Sequence, residues 1–204
     1  MKLYVADYAP NPRRVLWLMR EKAILDVAIS RVDIMALEHR SHEIVLKSGA
    51  SALPVLELDD GTVLAESVAI CRYLESLYPE PNLFGETPRE IAEIEMWLRR
   101  IEMHLATPLM LGVRMSTPAL NVLEEPNQAV ASYNLDHARA FLPSLDAHLT
   151  CRDFICANRL TMVDIVAACA FDFARIARFR PDTSCVNLAR WQARMRSLAS
   201  RPET

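Results

Sequence analysis

Glycine is scarce, with 4 residues in a chain of 204, whereas Ala, Leu, Arg and Glu are plentiful. That balance favours helices over a sheet-rich sandwich. A long apolar run is also missing: no stretch approaches the roughly 18 residues that mark a membrane span. The first ten residues hold one lysine and soon turn polar, so they do not read as a signal peptide, and a cytoplasmic location is expected. The five cysteines form no Cys-x-x-Cys pair, and Cys151 and Cys156 stand too far apart for a redox motif. No histidine flanks them with metal-ligand spacing, so reduced thiols and no metal are expected. A basic excess is lacking as well. The formal charge of −3 gives no reason to expect nucleic acid. The densest basic stretch, from Arg175 to Arg201, reads as solvated helix faces. No internal repeat or low-complexity tract is visible.

What remains is an ordinary globular composition, 51% hydrophobic and 24% charged, long enough for one large domain or two small ones. Residues 2–6 read as a short strand. Pro10-Asn11-Pro12 then breaks the chain, and Pro12 suits the first turn of a helix over residues 13–21. Val15, Leu16, Leu18 and Met19 give that helix its buried stripe. Residues 27–33 alternate weakly, as a second strand, and residues 37–52 read as a polar, irregular connection. Residues 55–58 and 62–65 flank Asp59-Asp60-Gly61, which is hairpin turn chemistry. Glu66-Ser67 then opens a helix carried by Val68, Ile70, Tyr73, Leu74 and Leu77.

The stretch from Tyr78 to Pro88 is rich in turn formers and reads as a linker. Beyond it, Ile91, Ile94, Leu98, Ile101, Leu105 and Leu109 step by helical spacing along one long helix. A second helix is expected over residues 128–148. Thr161 and Asp164 form a capping box before an apolar helix, and Leu188, Trp191, Met195 and Leu198 mark a last one. The expected architecture is α/β plus all-α: residues 1–78, a linker at 79–88, and a helical bundle over 89–204.

The run from Leu53 to Leu74, Leu-Pro-Val-Leu-Glu-Leu-Asp-Asp-Gly-Thr-Val-Leu-Ala-Glu-Ser and onward, resembles the glutathione-site segment of cytosolic glutathione transferases. Met1-Lys-Leu-Tyr4 and Ala9-Pro-Asn-Pro-Arg-Arg-Val15 resemble that family's first strand and helix. Trp97 to Glu102 is similar to the long first helix of its second domain, and Leu160 to Ile165 to its capping motif. The resemblance implies a thioredoxin-like first domain and a helical second one. It implies glutathione as co-substrate, a small hydrophobic electrophile, a homodimer and a role in detoxification.

The resemblance also assigns roles. Pro54 corresponds to a cis proline, which would let Leu53 offer its N–H and C=O to the cysteinyl unit of glutathione, as a strand edge captures a peptide. It puts the γ-glutamyl carboxylate at Ser67, where a helix N-terminus favours negative charge, and the ammonium near Glu66. Arg40 and His39, with His42 and Lys47 nearby, are the candidates for the glycyl carboxylate. The second substrate is expected against the long helix, with Trp97, His104, Met110 and Arg114 as its wall.

The activating position departs from the family pattern. A free thiol of pKa about 8.5 is only about 3% thiolate at pH 7, and lowering it by two units takes roughly 2.7 kcal/mol. Relatives supply a Ser or Thr hydroxyl where this chain has Ala9, so Asn11 and Tyr8 are the candidate catalytic residues. Ser48-Gly-Ala-Ser-Ala-Leu-Pro54 departs from the loop that usually precedes the proline, and Ala157-Asn158-Arg159 replaces Gly-Asp-Arg. Three functions follow as alternatives: a glutathione S-transferase, a glutathione-dependent disulfide or peroxide reductase, or a non-catalytic protein-binding module of the same fold.

Overall fold

The computed structural model describes residues 1–202, which form two compact units: Met1–Pro81 together with the chain at Pro202, and Asn82–Arg201. The first unit is built on a four-stranded sheet of β1 (Lys2–Val5), β2 (Ala28–Arg31), β3 (Val55–Glu57) and β4 (Val63–Ala65). Its order is β2-β1-β3-β4. β1 runs parallel to β2 and antiparallel to β3, and β3 pairs antiparallel with β4.

Parallel neighbours need a crossover, and α1 (Pro10–Glu21) supplies it between β1 and β2. It packs against α3 (Ser67–Leu77). Trp17, Leu18, Ile70 and Leu74 are fully buried there, each worth about 1.5–3 kcal/mol of transfer free energy. The buried Lys22 closes the end of α1. Its Nζ donates to the carbonyls of Tyr78 and Pro81 at 2.8 and 2.7 Å and pairs with Glu75 at 2.8 Å.

The stretch read as irregular, residues 37–52, contains a helix. α2 (His42–Ser48) follows a single 3-10 turn at Glu38–Arg40. Its local signals are a Ser41 hydroxyl that accepts from the Ile44 N–H and Gly49 in the left-handed conformation at φ 72°. Glu43 and Lys47 add an ion pair one turn apart.

The second unit holds α4 (Pro88–Ile101), α5 (Thr107–Ser116), α6 (Gln128–His148), α7 (Met162–Ala174) and α8 (Val186–Ser197). The expected single helix through Leu109 is divided into α4 and α5 by a π turn at Glu102–Ala106. Pro108 explains the division: it has no N–H for residue 104, and its ring crowds that carbonyl. A wider turn absorbs both effects, and Ile101, Leu105 and Leu109 all stay fully buried.

α7 is buried on nearly every face, with α4 and α5 packed against it. Its first turn carries the expected capping box. Asp164 Oδ2 accepts from Thr161 N–H and Oγ1 at 3.1 and 2.9 Å, and Oδ1 from Ile155 N–H and Trp191 Nε1 at 2.8 and 2.9 Å. Burial pushes this carboxyl up to about 6, with the four donors offsetting part of the cost. Among the described residues no helix is long and apolar enough to cross a membrane, and all five cysteines are free thiols.

Candidate active site

Strand register decides which segments meet. Tyr4 pairs with Val55, and Val55 pairs with Ala65. The chain after β1, the chain before β3 and the chain after β4 therefore emerge at one end of the sheet. Those stretches are the Tyr8–Asn11 loop, Leu53-Pro54 and Glu66-Ser67. The Leu53–Pro54 bond is cis. Leu53 is half-buried and packs on the small cluster of Tyr4, Val32, Ile44 and Val55.

Glu66 occupies the N-cap of α3 at φ 66°, ψ 117°, and its side chain makes no capping hydrogen bond. A non-glycine residue rarely holds positive φ outside a turn or a functional site. Ser67, the first helical residue, is 5% exposed. Its hydroxyl accepts from Arg14 Nη1 at 3.1 Å. Ser67 is thus not a self-contained cap. It is the polar end of a contact with a cation that is itself only 3% exposed. The uncapped helix end and the buried guanidinium both favour an anion here.

Arg14 is a residue of this candidate site that sequence reasoning did not flag. Its signal was present: it stands four residues before Leu18 and so falls on the buried stripe of α1. Its neighbour Arg13 is also buried and donates to the Pro202 carbonyl at 3.2 Å.

The first turn of α1 is unusual in its donors. Ala9 is the N-cap, with no side-chain bond to the helix, and the next three residues are Pro10, Asn11 and Pro12. Neither proline has an N–H, so Asn11 holds the only backbone donor in that turn and its only polar side chain. Its Oδ1 is buried without a hydrogen-bond partner among the described residues. Tyr8 is 73% exposed and turns the chain at φ 65°.

The remaining candidates are dispersed. His39 and Arg40 lie on the 3-10 turn before α2, His39 half-buried and Arg40 exposed. Lys47 is committed elsewhere: it donates to Glu57 at 2.5 Å and to the Tyr4 hydroxyl at 3.1 Å, and these bonds raise its pKa. In the helical unit, Trp97 is 8% exposed and stacks on His148 with centroids 3.9 Å apart, so little of it is left as a wall. His104 Nδ1 lies 3.2 Å from His137 Nε2, with Phe141 beside it. Met110 is half-buried, and Arg114 is paired with Glu124.

This arrangement has close counterparts. Residues 3–82 match the glutathione S-transferase N-terminal domain, and residues 98–199 match the glutathione S-transferase C-terminal domain. Over 203 residues the chain is 32% identical to Glutathione S-transferase 2 of Saccharomyces cerevisiae, covering 98% of this chain and 87% of that protein. The chain belongs to the glutathione S-transferase family. The crystal structure of a glutathione S-transferase domain-containing protein from Marinobacter aquaeolei VT8 matches with a TM-score of 0.93 at 31% identity, covering 99% of this chain and 100% of that one. The family likeness extends to Elongation factor 1-gamma of Equus caballus, 30% identical over 131 residues, which are 64% of this chain and 28% of that protein. With family membership, glutathione becomes the expected co-substrate.

Proposed function

We propose that this chain is a glutathione S-transferase that holds glutathione along Leu53, Pro54, Glu66 and Ser67 and presents its thiolate to an apolar electrophile. The observation that carries this reading is the buried Arg14–Ser67 contact at the bare N-terminus of α3. The γ-glutamyl carboxylate of glutathione fits that cationic, donor-rich end, and its ammonium fits the exposed Glu66 carboxylate. Leu53 then pairs its backbone with the cysteinyl unit. Arg40 or His39 takes the glycyl carboxylate, since Lys47 already serves Glu57.

Thiol activation falls to Asn11 in this reading. With a methyl at Ala9 and prolines on either side, the Asn11 backbone N–H and side-chain amide are the donors that the first turn of α1 offers to sulfur. Tyr8, exposed and with no side-chain hydrogen bond among the described residues, is the lesser candidate. The same missing hydroxyl supports a second reading, a glutathione-dependent disulfide or peroxide reductase. His104, Met110 and Arg114 are proposed contacts for the electrophile. A cytoplasmic homodimer and a detoxifying role belong to this proposal as well.

Calorimetric titration with reduced glutathione tests the binding reading. The wild type should bind in the micromolar to low-millimolar range. Ser67→Ala should weaken binding about tenfold or more, since a hydrogen bond within a charged contact is worth about 1.5–3 kcal/mol. No heat and no thermal stabilisation would refute it at glutathione about tenfold above a low-millimolar Kd, where stabilisation should reach about 1.4 kcal/mol even for the weakest site expected. Conjugation and disulfide-exchange assays with Asn11→Ala then separate the two enzymatic readings.

A further inference from the structure

Two histidines from different elements meet within the helical unit. His104 lies on the π turn at Glu102–Ala106 and His137 on α6, 33 residues apart in sequence. His104 Nδ1 stands 3.2 Å from His137 Nε2, with the ring centroids 5.4 Å apart. Pro108 shapes the backbone that carries His104, since its missing N–H leaves the His104 carbonyl without the usual α-helical donor.

Both rings reach solvent, His137 exposed and His104 half-buried. Tyr133 stacks on His137 from one turn earlier on α6, and Phe141 lies beside His104 from one turn later. Residues four apart on a helix share a face, so Tyr133, His137 and Phe141 form one wall that restrains the imidazoles. Among the described residues neither ring has another hydrogen-bond or ion-pair partner. His148 differs: its Nε2 donates to the Ile155 carbonyl at 2.8 Å, and its ring stacks on Trp97.

The spacing of the two nitrogens suits a shared metal ion. Zinc binds imidazole nitrogen at about 2.0–2.1 Å with tetrahedral angles, which sets two such nitrogens about 3.3–3.4 Å apart. A small rotation of each ring turns both lone pairs toward one point. The proton now between the rings moves to the outer nitrogen of the ring that carries it, so no net proton is lost. Binding through the second ring is then intramolecular and gains from effective concentration. No third His, Cys, Asp or Glu completes a cluster among the described residues, so water takes the remaining positions.

We propose that His104 and His137 form an open binding site for a divalent transition metal of the zinc class, which ties the π turn to α6. The site does not depend on which enzymatic reading holds.

Calorimetric titration with zinc chloride tests this, on reduced protein carrying Cys151→Ser to remove the exposed thiol as a competing ligand. One zinc should bind per chain and raise the melting temperature, because the ion links two elements that separate on unfolding. His104→Gln and His137→Gln should each weaken zinc tenfold or more and abolish the thermal shift. His39→Gln combined with His42→Gln should change neither. Copper(II) in place of zinc should show electron spin resonance coupling to two imidazoles in the parent and to one in either single variant. The parent spectrum decides the matter even if a variant is destabilised in urea without metal. The proposal is overturned if either single variant binds zinc like the parent, if the His39 and His42 double variant carries the loss, or if copper in the parent couples to a single imidazole.

Discussion

Asp164→Asn isolates the balance between burial and hydrogen bonding at the start of α7. The carboxylate accepts four hydrogen bonds, two on each oxygen. An amide has one acceptor end, so its NH₂ must face two of those donors. The least costly orientation turns it toward Thr161, whose hydroxyl can rotate to accept, and leaves one buried N–H unpaired. That costs about 1–3 kcal/mol. Burial adds a pH term. The carboxyl is raised from 3.8 to about 6 in the fold, so the folded state takes up the proton before the unfolded state does as pH falls. The stability linked to this group is fully present below the unfolded value and is lost as pH rises through the folded one. Two pK units correspond to about 3 kcal/mol, at about 1.4 kcal/mol per unit. The asparagine variant lacks this dependence. Urea unfolding followed by tryptophan fluorescence, on both proteins from about pH 3, below the unfolded value, to about pH 7, above the folded one, should show the wild-type advantage shrinking by about 3 kcal/mol overall. An advantage that grows with pH would mean that the four donors outweigh burial, and the reasoning would fail.

Four further outcomes follow from the same geometry. Ala9→Ser restores a hydroxyl at the N-cap of α1, but only the Asn11 N–H is available to it, so stabilisation should be small, about 0.5 kcal/mol. Its main effect should be a lower thiol pKa for bound glutathione, read by ultraviolet thiolate absorbance; no change would argue against sulfur lying at this helix end. Arg14→Met should cut glutathione affinity about tenfold or more, since it removes a charged hydrogen bond worth about 1.5–3 kcal/mol, and an unchanged Kd from calorimetry would remove the anion site. Gly112→Ala should cost about 1–3 kcal/mol in urea unfolding, because a methyl there would come within 2.6 Å of Leu135 Cγ and Cδ2. Ellman titration of the native protein should find one fast thiol, Cys151, because Cys71, Cys156, Cys169 and Cys185 are buried and burial pushes the Cys156 thiol up to about 12. A rapid reaction at Cys156 would contradict that placement.

Much of this architecture is legible in the residues themselves. Asp59-Asp60-Gly61 marks the hairpin by turn chemistry, Thr161 and Asp164 mark the start of α7, and the helix expected over residues 128–148 coincides with α6. α2 escaped because a seven-residue helix holds too few turns to show a period; only its caps, Ser41 and Gly49, announce it. The π turn escaped because apolar spacing continues through it, and Pro108 was the one sign of trouble. At the site, Leu53, Pro54, Glu66 and Ser67 are legible through their likeness to the family. Arg14 is not, since an arginine on a helix is normally solvated, and its burial depends on how α1 packs on α3. Nor could spacing alone show that Lys47 would be spent on Glu57.

The meeting of three loops at one sheet end has a practical corollary. Strand pairing, and not the loops, sets the distances among Asn11, Leu53 and Ser67. The turn at residues 59–61 lies at the opposite end of the same hairpin, exposed, with Gly61 at φ 83° and open space around it. A peptide tag or fluorophore inserted there lengthens a turn without shifting the Val55–Ala65 pair. One residue added between Ala65 and Ser67 would break the tight Glu66 connection that carries the chain from β4 into α3 and sets Ser67 against Arg14. The protein is thus permissive to insertion at one edge of its sheet and intolerant at the other, although the two edges are only three residues apart along each strand.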